Sequence, residues 1–272
     1  VTKSQPDFEQ MSTACTTRPL EIYAFLDPLC PDSWRFQMTL KRLQLDYGHY
    51  FTLRVILSTN VSQLNSGTIT QCSAPVQADQ PIMEIEHPVL PSIAVKAAEF
   101  QGKRVANRFL SNLQEAYFVY RQNVNSLTTL KGIAQDSAID VKEFLQDIRS
   151  KECAKSFQSD LSISCEMEID QFPSIVFFSG NIEDEGIKIS GTYSYEIYEH
   201  VLSEMLGESL EKQAPPEVEF LLDHFTSLSS KEIAMYYNMH EKQVEYEMKK
   251  KYLQREVDRV VVGGITKWKS LK

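Results

Sequence analysis

The stretch EIYAFLDPLCPDSW, Glu21 to Trp34, constrains this chain more than any other. Ile22 to Leu26 is a short apolar run that predicts a buried strand. It gives way to an Asp27-Pro28 turn, Cys30, Pro31 and then the helical spacing of Trp34, Met38, Leu40, Leu43 and Leu45. A strand that becomes a helix across so short a turn sets Cys30 at the first helical turn. There, unpaired N–H groups and the positive end of the helix dipole favour a thiolate, while the neighbouring Asp27 and Asp32 oppose it. Pro31 suits that turn because its missing N–H would have no partner there. Three positions beyond Cys30 stands Ser33 instead of a second cysteine. The site therefore cannot close a disulfide within itself, and ordinary dithiol exchange is not expected of it.

At 272 residues and 31.2 kDa the chain can bury a full core, as one large domain or two of unequal size. No apolar run approaches the roughly 20 residues needed to cross a bilayer. The first residues show neither a basic nor an apolar leader segment, and the five widely spaced cysteines, Cys15, Cys30, Cys72, Cys153 and Cys165, fit a reducing, cytoplasmic setting. Residues 1–216 hold 18 Lys plus Arg against 28 Asp plus Glu, a net of −10, whereas 217–272 hold 10 against 9, a net of +1. An acidic main body repels phosphate backbones and argues against nucleic acid as a partner.

Residues 1–19 are polar and aperiodic and predict a flexible arm; its Cys15 has no nearby histidine or second cysteine with metal-ligand spacing. Phe51 to Ser58 predicts a second strand, parallel to the first across the intervening helix. Asn60 to Pro81, rich in Asn, Ser, Gln and Thr, predicts a long surface loop. From Pro88 the pattern is helical for about eighty residues, with Gly102 as a joint and Asp140 as a helix N-cap three residues before Glu143. Cys153 and Cys165 fall on one helix, about 18 Å apart by rise, and cannot pair there. Ser174 to Phe178 then predicts a strand that starts directly after Phe172-Pro173, and GIKISGTYSYEIYEHVLSEMLGE supplies a last strand, a glycine turn and a closing helix. Trp34, Tyr193, Tyr195 and Tyr198 are expected to pack in the core.

Pro215-Pro216 marks a boundary. Beyond it, PEVEFLLDHFTSL, SSKEIAMYYNM and HEKQVEYEMKKKYL predict three helices, and REVDRVVVGGITKWK predicts a hairpin around Gly263-Gly264. Three helices and a hairpin make a winged-helix pattern, used for DNA and for protein contacts. A recognition helix here would begin with Glu241, Glu245 and Glu247, with Lys249, Lys250 and Lys251 too late to offset them, which disfavours DNA. His49, His87, His200, His224 and His240 are scattered, with no nucleophile–base order among them, and His240 is expected on the surface of a turn.

Taken together, EIYAFLDPLCPDSW, KAAEFQGKRVANRFLSNLQEAYF, FPSIVFF and GIKISGTYSYEIYEHVLSEMLG resemble the DsbA-like family, in its branch of adaptor proteins from Gram-positive bacteria. The likeness runs from about Leu20 to Trp268. It implies an α/β fold: a thioredoxin-like (DsbA-like) domain over 20–214 with a helical insertion at about 82–167, followed by a winged-helix-like domain over 217–272. It also implies a cis peptide before Pro173, set beside Cys30. The activity it implies is that of a noncatalytic adaptor. Such a protein binds the transcription factor Spx and promotes its degradation by the ClpXP protease, contacting the protease directly or through the client, without cofactor, nucleic acid or membrane. The candidate contact surface lies near Pro31, Trp34 and Phe172. The competing expectation is a monothiol DsbA-like oxidoreductase or isomerase with Cys30 as the thiol, assisted by Ser33 and Pro173. Some relatives carry Cys-Pro-Glu-Cys where this chain has Cys30-Pro31-Asp32-Ser33, and some carry a zinc-binding Cys/His cluster before the first strand, where this chain has only Cys15. Neither the redox pair nor the zinc site is carried over.

Overall fold

A computed structural model describes residues 20–59, 89–179, 186–225, 227–262 and 265–271. The expected arm at 1–19 with Cys15, the expected loop at 60–81 with Cys72, and Gly263-Gly264 lie outside these residues.

Strand β1 (Leu20–Leu26), helix α1 (Pro31–Tyr47) and strand β2 (Phe51–Leu57) form the anticipated strand–helix–strand unit. The strands are parallel, with Leu20 opposite Phe51 and Leu26 opposite Leu57. Side chains of β1 alternate between two buried faces. Ile22, Ala24 and Leu26 pack against Phe36, Leu40 and Leu43 of α1, while Phe25 turns to the other face with Ile56 and Val176. Burial on both sides explains why β1 reads as a continuous apolar run. The apolar stripe of α1 differs from the expected one: Phe36 is buried, whereas Trp34 and Met38 are only half-buried. Residues 36, 40, 43 and 47 share one helical face, and that face is the one the sheet covers.

Among the described residues, five helices follow: α2 (Leu90–Glu99), α3 (Lys103–Phe118), α4 (Leu127–Asp136), α5 (Val141–Asp147) and α6 (Lys151–Glu166). Gly102, with φ of 119°, joins α2 to α3, a conformation that suits glycine because it has no Cβ. The Asp140 carboxylate caps α5 by accepting the N–H groups of Lys142 and Glu143 at 2.9 and 3.0 Å. The block has its own core around Phe109, Leu113, Leu130 and Phe144. It is tied to the sheet by Asp160 of α6, whose carboxylate accepts the Leu57 N–H at 2.9 Å and pairs with Lys96 of α2 at 2.7 Å.

Strands β3 (Ser174–Phe178) and β4 (Ile187–Ser190) return antiparallel, giving the sheet order β2-β1-β3-β4, and α7 (Tyr195–Leu206) closes over the α1 face. Beyond an extended connection come α8 (Val218–Phe225), β5 (Leu228–Ser229), α9 (Ser230–Tyr237), α10 (Glu241–Leu253), β6 (Val257–Val262) and β7 (Ile265–Ser270). The two-residue β5, not anticipated from the sequence, pairs with β7 to make a three-stranded sheet of order β5-β7-β6. Ser229 and Glu232 form a reciprocal capping box at the start of α9. Trp268 is fully buried, and its indole N–H donates to Ser230 Oγ at 2.9 Å. Leu45 of α1 belongs to this C-terminal core, so the last module packs onto the main body. Among the described residues no helix is long and apolar enough to cross a membrane.

Candidate functional site

The turn between β1 and α1 is laced by Asp27. Its carboxylate accepts the Leu29 N–H at 2.8 Å, its carbonyl accepts the Cys30 N–H at 3.1 Å, and its own N–H donates to Ser33 Oγ at 3.2 Å. Cys30 therefore occupies the N-cap position of α1 with extended backbone, and its carbonyl accepts the Trp34 N–H. Ser33 is fully buried. Where a resolving thiol would stand, a hydroxyl oxygen instead satisfies a backbone donor and holds the turn closed.

The second half of the site arrives from far along the chain. The Phe172–Pro173 peptide is cis, as the family resemblance implies, and the Cys30 thiol points at the Phe172 carbonyl with Sγ···O of 3.7 Å across 142 residues of sequence. Ser174 Oγ donates to the Gln171 carbonyl at 2.7 Å and the Gly191 N–H donates to the Pro173 carbonyl at 2.7 Å, pinning this segment from both sides. Gly191 has φ of 89°, a left-handed backbone that calls for glycine, and a Cβ there would lie 3.1 Å from the end of the Gln171 side chain.

Cys30, Ser33, Phe172 and Pro173 are thus brought together as expected. Around them Pro31 is exposed, Phe172 is half-buried, and half-buried Trp34 stacks on Phe118 at the end of α3, with ring centroids 4.8 Å apart and planes 7° apart. Phe118 was not singled out from the sequence. The only available signal was the aromatic pair Tyr117-Phe118 closing an amphipathic helix, and its partner on another element could not be read from that. The helical insertion therefore supplies half of an aromatic platform beside the thiol.

The remaining candidates lie elsewhere. Tyr198 is fully buried and Tyr195 is half-buried with its hydroxyl donating to Asp46 at 2.8 Å, whereas Tyr193 is exposed, so the expectation of core packing fails for Tyr193. It sits in the turn before α7, where neither the sheet nor a helix covers it. His49 lies against Tyr50 with the rings tilted by 40°, and exposed His240 caps α10 by accepting the Lys242 N–H on Nδ1. Cys153 is buried on α6, its thiol donating to the Ile93 carbonyl at 3.4 Å, and burial pushes its pKa up to about 12. Cys165 lies half-buried near the other end of the same helix. Among the described residues no group of three or more His, Cys, Asp or Glu side chains is placed to hold a metal ion.

A thioredoxin family model matches residues 23–200 of the chain. The ClpXP adapter protein SpxH of Bacillus subtilis (strain 168) is 36% identical over 272 residues, covering 93% of this chain and 90% of that protein. The ClpXP adapter protein SpxH of Bacillus licheniformis is 37% identical over 257 residues, covering 89% of this chain and 86% of that protein. Among solved structures, the oxidoreductase DsbA from Xylella fastidiosa aligns with a TM-score of 0.50 at 15% identity, over 70% of this chain and 87% of that one, a likeness of fold alone. The fold is α/β and thioredoxin-like, of the DsbA type.

Proposed function

The chain belongs to the thioredoxin family and, within it, to the ClpXP adapter proteins SpxH, and from that membership we propose that it is a noncatalytic adaptor that binds the transcription factor Spx and promotes its degradation by the ClpXP protease in the cytoplasm. The observation that carries this reading is the single-thiol site. Cys30 and the cis-Pro173 segment keep the shape of a surface that meets extended protein segments, while the resolving position holds a buried Ser33 whose oxygen is occupied by the Asp27 N–H. Such a face is suited to binding and lacks the second thiol that a dithiol cycle requires.

In this reading the client docks near Pro31, Trp34 and Phe172, where an exposed proline and half-buried aromatics provide rigid apolar contact area. Residues 20–214 form the client-binding domain with the helical insertion at about 82–167, and residues 217–272 form a winged-helix-like domain. The helix–strand–helix–helix–strand–strand order of the last part supports that assignment. Adaptor action needs no bond-making. It needs only that the bound client be held in a conformation the protease engages more readily. ClpXP is reached directly or through the client, with no cofactor, metal or nucleic acid required.

A monothiol oxidoreductase is the second reading, favoured by the position of a half-buried thiol at a helix N-terminus beside a cis proline. The deciding measurement is the rate of Spx loss in a purified mixture of Spx, ClpXP and ATP with this protein at substoichiometric concentration. Acceleration is expected, and it is expected to survive Cys30→Ala. Trp34→Ala is expected to weaken client binding by about 2 kcal/mol, roughly thirtyfold. Loss of acceleration on Cys30→Ala with the fold intact would transfer the assignment to thiol chemistry.

A further inference from the structure

Helices α8, α9 and α10 and the segments that flank them line an open cavity of about 670 Å³ that plays no part in the Cys30 site. Its walls include Ile233, Met239, Val244 and Met248, and carboxylates from Glu217, Glu219, Glu247 and Glu256 line it as well. Val244 and Met248 are almost wholly buried and form an apolar floor, while Glu217, Glu247 and Glu256 are exposed at the rim. Among the described lining residues Lys251 alone has a cationic side chain, and its ammonium is already engaged by Glu219 and by Glu256, the latter at 3.3 Å. The lining thus carries four carboxylates against one paired cation, beside an apolar floor.

From this combination we infer that the cavity is a docking groove for a short basic peptide segment of a partner protein, with a large apolar side chain seated on the Val244–Met248 floor and flanking Lys or Arg side chains against Glu217 and Glu247. The volume lies in the range of sites that engulf a few side chains. Methionine is unbranched and polarizable, so Met239 and Met248 can adjust to anchors of different shape. With Glu219 and Glu256 engaged by Lys251, the lining keeps a net negative charge in which Glu217 and Glu247 attract cations and repel phosphate, nucleic acid and acidic peptides, so the charge selects the occupant. The inference is separate from client binding at the Cys30 face and does not rest on which client that face takes.

The experiment uses the full chain and fluorescein-labelled hexapeptides with two lysines at each end and every pairing of Leu, Ile, Met, Phe and Ala in the centre, read by fluorescence anisotropy. Peptides with large apolar centres are expected to bind, and their Ala-centred and glutamate-flanked counterparts to fail. The double variant Glu217→Lys/Glu247→Lys changes two exposed side chains. It is expected to retain the thermal melt of the parent while weakening binding at least tenfold, the size of one lost charge contact. Methyl resonances of Met239 and Met248 are expected to shift during the titration. Absence of binding by every library member up to millimolar concentration, equal binding to the double variant, or equal binding of glutamate-flanked peptides would each overturn the inference. So would a concentration-dependent dimer in sedimentation that the double variant abolishes and peptides do not displace, since a second copy would then be the occupant. None of these outcomes alters the Spx-degradation result, so the two readings fail separately.

Discussion

Cys30 and Cys153 carry the same functional group in opposite surroundings. Cys30 is half-buried at the start of α1, facing a carbonyl across the groove, whereas Cys153 is sealed inside the helical block and donates to the Ile93 carbonyl. Burial disfavours the charged thiolate, which pushes Cys153 up to about 12 from its ordinary range. Because the thiolate is the nucleophile, alkylation with iodoacetamide near neutral pH is expected to mark Cys30 in the native protein and Cys153 only after unfolding, read site by site by mass spectrometry. Labelling of Cys153 as fast as Cys30 in the native state would contradict the sealed position. The sequence shows that Ser33 is not a thiol, but its service as acceptor for the Asp27 N–H depends on how β1 turns into α1.

Among the elements, α2 and α6 owe their attachment to a buried charge pair. Lys96 and Asp160 are each about 5% exposed or less, 2.7 Å apart, and Lys96 also reaches Glu99 at 2.8 Å. Burial works against the ammonium, but the Glu99 and Asp160 carboxylates together outweigh it and hold Lys96 above its ordinary value. Glu99 is itself pushed up by burial against the pull of Lys96, and Asp160 also receives the Leu57 N–H. Asp160→Ala is expected to cost about 3 kcal/mol in urea unfolding, because it leaves a buried cation and a strand-end N–H short of a partner. Lys96→Met/Asp160→Leu is expected to recover most of that loss; a single-variant cost below about 0.5 kcal/mol would show that the pair holds nothing. None of this was legible in the sequence, where Lys96 sits inside a small-residue helix and Asp160 inside a polar one. Elements with strong local signals were legible, including the Asp140 cap and the strand after Pro173. The phase of α1 was not, since Trp34 and Phe36 are equally apolar and only the sheet decides between them.

Across the whole molecule, α1 is shared between two cores. Phe36, Leu40 and Leu43 face the sheet, while Leu45 enters the C-terminal core beside Leu221, Leu222 and Trp268. Lys41 lies 4.9 Å from the Phe225 ring centre, Lys267 pairs with Glu115 of α3 at 2.7 Å, and the Gln213 N–H donates to the Asp46 carbonyl at 2.8 Å. The helix that displays Cys30 at one end therefore anchors the last module at the other. Leu45→Ala is expected to cost about 2–5 kcal/mol and to speed proteolytic cleavage in the extended connection between α7 and α8. Unchanged cleavage with that loss of stability would mean that the other contacts hold the module without Leu45.

By itself the sequence determined the strand, turn and helix around Cys30, the absence of a second thiol at Ser33, and the order of most elements. Those features follow from periodicity, turn chemistry and capping, which act over a few neighbouring residues. The family resemblance implies the Pro173 segment beside Cys30, but the tertiary structure alone decided that the Phe172 carbonyl is the group facing the thiol across 142 residues, that Phe118 stacks on Trp34, and that Lys267 meets Glu115 across 152. Such contacts form only when the sheet closes and the module docks, because their partners share no local pattern that would record the encounter.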